Sequence, residues 1–388
     1  MDEGGALIVR HNSADSGAVA RGFLLIAVFY VHALYGVFQS MDSDPTRAMM
    51  AGAQLKLLAP NVSAFFFLSG MAAPYFHRKG WSAALKPSLT LLILAAMSHV
   101  VAVGINMALD PQWYGPYWFA RRMLKPIVLG TGYENFVAWF LVALAFARAF
   151  AYLFLRSRSL FLFIAAMMAL LFWIGQKFGM PDNIYEWRNW PTATLFFLIG
   201  MRMPRDFRIN AIAGWAALLG TIVLAWLNRP GLLISGPCLE CELAFVAQPM
   251  IGQYGSLPIY ICQQILFILF LWWVSVWSGD KMPGRAAAYI GNDSLSMLLL
   301  HGWVLVLIYP AAARSLPGRE SIFLFCSILS SVLVAHALLY FLLNPILRWF
   351  GALSFRISTP IMTGLDITTA MILRTGKRPP RALPSEPA

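Results

Sequence analysis

The chain has 388 residues, 59% hydrophobic and only 12% charged, with a mean hydropathy of +0.67. Soluble domains carry about 25% charged residues, so too little charge is present here to cover a water-exposed surface, and a soluble globular enzyme, a disordered chain and a nucleic-acid-binding domain are excluded. The net charge of +12 has a ready source in a membrane protein, the Lys and Arg of its cytoplasmic loops.

A helix needs about 20 apolar residues to cross the hydrocarbon core. Ten segments qualify in chain order: 18–38, 53–76, 83–108, 134–155, 159–178, 190–203, 209–227, 256–278, 286–309 and 321–344. The sixth is short and counts as a span because it lies between charged loops. The tail before the first span holds Asp2 and Glu3 and no cationic n-region, so this span is expected to stay as a signal anchor. With the N-terminus placed inside, 17 of the 29 Lys and Arg fall in cytoplasmic segments. The expected fold is an all-α membrane protein, a single polytopic bundle of about ten helices with both termini cytoplasmic. Residues 1–17 form an N-terminal tail, 18–345 the membrane domain and 346–388 a basic cytoplasmic tail. Segment 109–133 breaks the charge rule, with Arg121, Arg122 and Lys125 on the outer side beside Trp113, Tyr114, Tyr117 and Trp118. That mixture suits an interfacial or re-entrant segment.

Ionisable groups at bilayer depth are costly and point to function. In the first span Arg21 and His32 lie 11 residues apart, close to three helical turns. Both therefore share one face, about 16 Å apart along the axis. A fixed cation at the cytoplasmic mouth and a titratable base at mid-depth suit phosphate binding and proton transfer. A snorkelling arginine plus a histidine bonded to a neighbouring helix is the plainer alternative. Ser69 and Gly70 follow an aromatic run in the second span and allow close approach of a helix or a ligand. Arg78, Lys79 and Lys86 then face the same side as Arg21. In the ninth span Asp293, Ser294 and Ser296 precede His301. His301 is a second histidine able to serve a polar substrate group or an interhelical bond. His99 and His336 are isolated and read as packing residues. Cys238 and Cys241 lack further ligands nearby for zinc, leaving a short disulfide or two thiols.

Several of these patterns together resemble the acyltransferase-3 family of integral-membrane O-acyltransferases. Arg21 and His32 in a first span, the run Phe65-Phe66-Phe67-Leu68-Ser69-Gly70, Trp139-Phe140-Leu141, Phe196-Phe197-Leu198-Ile199-Gly200, and Ser296 to His301 occur in the family's order. The end around His301 is similar to the branch that succinylates periplasmic glucans. The resemblance implies transfer of an acyl group, acetyl or succinyl, from cytoplasmic acyl-CoA to a hydroxyl of an extracytoplasmic glycan, in a bacterial inner membrane. It implies His32 as the catalytic histidine with Arg21 as its partner. Arg78, Lys79, Lys86, Ser69 and Gly70 would meet the acyl-CoA. Trp139 and His301 would line the acceptor half. Beside the resemblance, the residues themselves offer Arg121 and Arg122 to an anionic acceptor or a lipid head group, and Tyr35, one turn beyond His32, to the reacting substrate as an oxyanion donor, as Ser69 also could be. No metal and no tightly bound cofactor is implied. Acyl-CoA is a donor substrate, the bilayer and the glycan are the partners, nucleic acid is not, and assembly with further copies of the chain is open. Three positions depart from the family's pattern: Ala18 stands where an Asp is common, the arginine run after the Ser-Gly element is reduced to Lys86, and Val137 or Ala138 replaces a common His. A transporter or flippase that uses the intramembrane histidines is the alternative class.

Overall fold

The computed structural model describes residues 15–39, 45–73, 80–109, 115–163, 165–166, 183–204, 206–229, 247–315 and 322–375, without the side chains of 35–39, 45–51, 251, 305–315, 322–332 and 369–375. Among the described residues the chain is helical. The only extended pairing among them is an isolated antiparallel bridge between Gln248 and Gln253.

Helix α1 spans Ser16–Gln39 and α2 Pro45–Leu58. The chain then tightens into a single 3-10 turn, Ala59–Val62, before α3, Ser63–Met71. The expected span 53–76 is therefore not one helix. Pro60 lies inside this break, where it withholds a backbone donor and disfavours the helical conformation before it. Helix α4 covers Trp81–Leu109, α5 Ala138–Arg156 and α6 Trp190–Arg202. Between α4 and α5 the chain makes a short α turn, Pro116–Phe119, a π turn, Ala120–Leu124, and a last turn, Lys125–Leu129, closed by left-handed Gly130. Helix α7 is Ala211–Leu227, α8 Leu257–Ser278 and α9 Met282–Asn292. Helix α10 is Ser294–Ser315 and α11 Ile322–Thr375.

Among the described residues, five helical segments are long and apolar enough to cross a membrane: Ser16–Leu34, Trp81–Leu109, Ala138–Arg156, Leu257–Ser278 and Leu333–Thr368. Two shorter apolar helices, Ala211–Leu227 and Ser294–Val304, accompany them. Most of the expected span 159–178 lies outside the described residues. The expected span 286–309 divides at Asp293, whose backbone leaves the helical region (φ −112°, ψ 36°). The last helix runs 54 residues, about 80 Å at 1.5 Å per residue, well past residue 345. Its distal half packs on α4, where Ser358 and Thr90 hydroxyls meet at 2.9 Å. Residues 346–375 are thus helix, and residues 376–388 of the expected tail lie outside the described residues.

Small residues bring the helices together. A Cβ at Gly22 would lie 1.8 Å from the carbonyl oxygen of Ala287, and one at Gly291 1.8 Å from that of Ala18. Both helices carry a small residue four positions earlier, Ala18 on α1 and Ala287 on α9, so the α1–α9 crossing is a small-xxx-small contact. The same device joins α3 to α6, where Gly70 meets the carbonyl of Phe197 and Gly200 that of Phe67. Helices α3 and α6 have only 9 and 13 residues, roughly 14 and 20 Å, too short to cross alone. All of α3 except Ser69 is buried. Helix α7 shows the lipid-facing pattern in reverse: Gly214, Ala217, Thr221 and Ala225 are buried, while Ile212, Trp215, Leu219, Val223 and Trp226 form an exposed apolar stripe. Such a stripe is stable against hydrocarbon and unstable against water.

Candidate active site

Three histidines from three helices form one hydrogen-bonded chain. His32 Nδ1 on α1 lies 2.8 Å from His301 Nε2 on α10. His301 Nδ1 lies 2.9 Å from His336 Nε2 on α11. Each neutral imidazole has one donor and one acceptor nitrogen, so the chain is satisfied when all its protons point the same way. Phe29, one turn before His32 and on the same face of α1, supplies the apolar wall. Its ring stacks on His336 at 4.0 Å and lies 4.6 Å from that of His301. His301 and His336 are fully buried, at 1% and 3% exposure. His32 is half-buried, and the edge of its ring meets Phe136 at 5.2 Å. The carbonyl of Val28, one turn earlier on α1, also accepts a hydrogen bond from this ring, and no described residue is bonded to its Nε2.

Asn135 locks Phe136 in place. Its amide donates to the Leu299 carbonyl at 3.4 Å and accepts from the Val137 N–H at 3.2 Å, at the start of α5. The residue after His301 is Gly302, and a Cβ there would fall 1.8 Å from Asn135 Oδ1. Glycine is therefore required where α10 passes this loop.

Arg21 stands three turns before His32. Its Nε donates to the carbonyl of Gly291 at 3.1 Å, in the last turn of α9. A cation at a helix C-terminus satisfies a carbonyl left over by the helix ladder. The carboxylate of Asp15 interacts electrostatically with this guanidinium and accepts the Gly17 N–H at 3.1 Å. Ala18 is buried against α9, so no carboxylate fits there and Asp15 provides the nearby negative charge instead. At the same end of the bundle, Asp293 accepts from Ser296 Oγ at 2.8 Å and from the hydroxyl of Tyr340. Tyr340 lies one turn beyond His336 on α11.

The other expected site residues are spread more widely. Gly70 is spent on the contact with α6, and Ser69 is the partly exposed residue beside it. Lys86 places its ammonium 3.7 Å above the ring of Phe355 on α11, a cation–π contact. Trp139 is buried in the main core, edge-on to Phe140. Arg121 lies over the exposed ring of Trp118 at 5.5 Å. Arg122 pairs with Glu134 at 3.5 Å. Together with Asn106 and Trp118 these last two line a small, partly open cleft, and Asn106 donates to Glu134 at 2.9 Å. His99 fastens this segment: its Nε2 donates to the Arg122 carbonyl and its Nδ1 accepts the Glu134 N–H, both at 2.9 Å. Glu134 is two residues from Phe136, so the cleft and His32 share one strip of backbone. Arg78, Lys79, Cys238, Cys241 and the side chain of Tyr35 lie outside the described residues.

At the opposite end from Arg21, Glu186 is buried in a loop with left-handed backbone at both Tyr185 (φ 49°) and Glu186 (φ 60°). Such conformations cost on the order of 1–3 kcal/mol for non-glycine residues. Bonds hold them. The amides of Asn183 and Asn189 donate to Glu186 Oε2 at 2.6 and 3.1 Å. The Tyr254 hydroxyl donates to Asn189 Oδ1 at 2.6 Å. Burial pushes the Glu186 carboxyl up to about 8, with hydrogen bonds from Thr131 and Asn189 opposing. Composition gave no sign of this network.

The family model for the Acyl_transf_3 acyltransferase domain matches residues 18–357. The chain belongs to this acyltransferase-3 family, and the match extends from the α1–α9 crossing to the part of α11 that packs on α4. It is a membrane acyltransferase. No curated protein and no solved structure matches it significantly.

The first-span pair was visible in the sequence, but His336 was not: an isolated histidine in an apolar span has no pattern. Its i+4 neighbour Tyr340 was the available signal, because two polar side chains one turn apart in a membrane helix share a face.

Proposed function

We propose that the chain transfers an acyl group from cytoplasmic acyl-CoA to a hydroxyl of an extracytoplasmic glycan. In this reading the bundle has about ten spans, both termini are cytoplasmic, and the membrane is a bacterial inner membrane. The observation that carries the reading is the Nε2 of His32, to which no described residue is bonded, with the ring backed through Nδ1 by the buried His301. An imidazole held this way removes a proton from an incoming hydroxyl, a role worth about 10²–10⁴ in rate.

Donor and acceptor approach His32 from opposite ends. Arg21 lies about 16 Å away along α1, at the positively charged end, where the phosphates of CoA are attracted. Only Nε of its guanidinium is tied to Gly291, which supports the η nitrogens as the phosphate contact. On the other side the cleft of Asn106, Trp118, Arg122 and Glu134 supplies an aromatic face and planar polar groups that suit a sugar ring. The oxygen of the acceptor bonds the acyl carbon, the C–S bond breaks, and the proton taken by His32 ends on the thiolate.

Mass spectrometry of envelope glycans from cells with the native chain and with His32→Ala tests this. Expected is an added acyl mass, such as acetyl or succinyl, that disappears in the variant while the protein remains in the membrane. Retained acylation in the variant overturns the assignment of His32. No acylation by the native chain, together with no thiol release from acetyl-CoA or succinyl-CoA, favours the transporter reading of the same histidines.

A further inference from the structure

We infer that His301 and His336 are positioning residues that fix the proton of His32 on Nδ1 and draw positive charge away from the reacting atoms. The inference rests on His32 being the base.

The geometry admits two neutral arrangements of the chain. With protons pointing away from His32, its Nδ1–H donates to His301 Nε2 and the His301 Nδ1–H donates to His336 Nε2, leaving the Nε2 of His32 with a lone pair. With protons pointing toward His32, Nδ1 accepts and Nε2 carries the proton, and the residue cannot act as a base there. Only the first arrangement is competent. In this arrangement His301 and His336 take the place of the carboxylate in a Ser–His–Asp triad, which holds the imidazole in one tautomer and supports its charged form. A carboxylate at this depth would bury a full negative charge, whereas imidazoles remain neutral in the resting state.

The chain also gives the charge somewhere to go. When His32 Nε2 takes the acceptor's proton, its Nδ1 proton moves to His301 Nε2, and the His301 Nδ1 proton moves to His336 Nε2. The cation then sits on His336, against the face of Phe29 at 4.0 Å and one turn from Tyr340, whose hydroxyl is bonded to Asp293. A π face and a nearby carboxylate both favour a cation. Among the described residues, the groups packed around the chain include Phe136 and Asn135 from the loop before α5, Gly302 on α10 and the Val28 carbonyl on α1, none of them charged. The reverse shift returns the proton through His32 to the leaving thiolate, so an acyl thioester and a hydroxyl give an ester and a thiol with no net change in protons.

The test is nitrogen NMR of full-length protein in lipid nanodiscs, labelled with ¹⁵N-histidine and assigned by single histidine substitutions. In the native protein His32 is expected to be protonated at Nδ1 and bare at Nε2. In His301→Leu, where only the Val28 carbonyl is left as acceptor, the share of the Nε2-protonated form is expected to rise, and in His301→Asn, whose amide oxygen still accepts, to return to the native level. Thiol release from acetyl-CoA is expected to fall on the order of 10²-fold in kcat for His301→Leu, with KM little changed and partial recovery in His301→Asn. His336→Leu, which leaves His301 in place, serves as the second variant should His301→Leu fail to fold, and a smaller fall in kcat is expected. A native His32 protonated at Nε2, or a tautomer indifferent to both leucine variants, overturns the inference. The NMR readout needs no substrate, so its failure is distinct from a failure of the acyl-CoA reading.

Discussion

His301 Nε2 lies 2.8 Å from His32 Nδ1 although 269 positions separate the two residues. The contact brings a first-span histidine against helix α10, and on its other side the His32 ring meets Phe136 in a T-shaped contact at 5.2 Å. The geometry of that ring depends on groups that touch no substrate.

Gly302→Ala tests this dependence. The new methyl would lie 1.8 Å from Asn135 Oδ1, so Asn135 and the adjoining Phe136 must move away from His32. Displacements of about 1 Å at a reacting group cost up to 10²-fold in rate. A fall of roughly tenfold or more in kcat is expected, with membrane insertion retained; unchanged kinetics would show that Phe136 does not set the site.

Gly291→Ala or Gly22→Ala addresses the α1–α9 crossing that carries Arg21. Overpacking of a close contact costs about 1–3 kcal/mol. A lower melting temperature in detergent is expected for each, and a greater loss for Gly291→Ala, because its carbonyl is also the partner of Arg21. Melting unaffected by either substitution would contradict the packing described.

Glu186 gives a pH dependence with a defined sign. Its folded-state pKa is raised from 4.5 to about 8 by burial. A raised value means that the contribution to stability is complete below the unfolded-state value and is lost as pH rises through about 8. The melting temperature of the native protein is therefore expected to fall from about pH 5 to about pH 8 and to level off above that. Glu186→Gln keeps the amide contacts without ionising, and its melting should vary less over that interval. Identical slopes for the two proteins would exclude a buried neutral Glu186.

Gln264 is fully buried on α8, and neither polar atom of its amide has a hydrogen-bond partner among the described residues. Leaving buried polar atoms unpaired costs about 1–3 kcal/mol each. Gln264→Leu is accordingly expected to keep or raise the melting temperature of the substrate-free protein. A drop of several degrees would mean that the amide is satisfied in a way the described contacts omit.

Much of the fold was legible because hydrocarbon imposes a length rule: α1, α4, α5 and α8 lie close to the apolar runs that announce them. The rule fails where helices are shielded by other helices. Helices α3 and α6 need not reach across hydrocarbon, so Pro60 breaks one expected span, and the 13 residues of α6 suffice. Likewise the continuation of α11 escapes the length rule, since residues 346–375 mix Arg, Ser and Thr with apolar residues although the apolar stretch reaches Thr368. In the site, Arg21 and His32 were readable because one helix sets their spacing. The alignment of His301 and His336 behind His32 depends on three helices meeting, which no local pattern encodes. The role of Gly70 turned on the same point, since only the packed α6 shows that its missing side chain makes room for a helix backbone.

The central claim is that His32 performs the proton transfer in acyl transfer. Its most direct measurement is thiol release from acetyl-CoA and succinyl-CoA by the purified native protein and by His32→Ala, each in nanodiscs with glycan acceptor present. Release by the native protein and a loss of about 10²-fold or more in a folded His32→Ala variant are expected. Equal release by the two proteins would contradict the account.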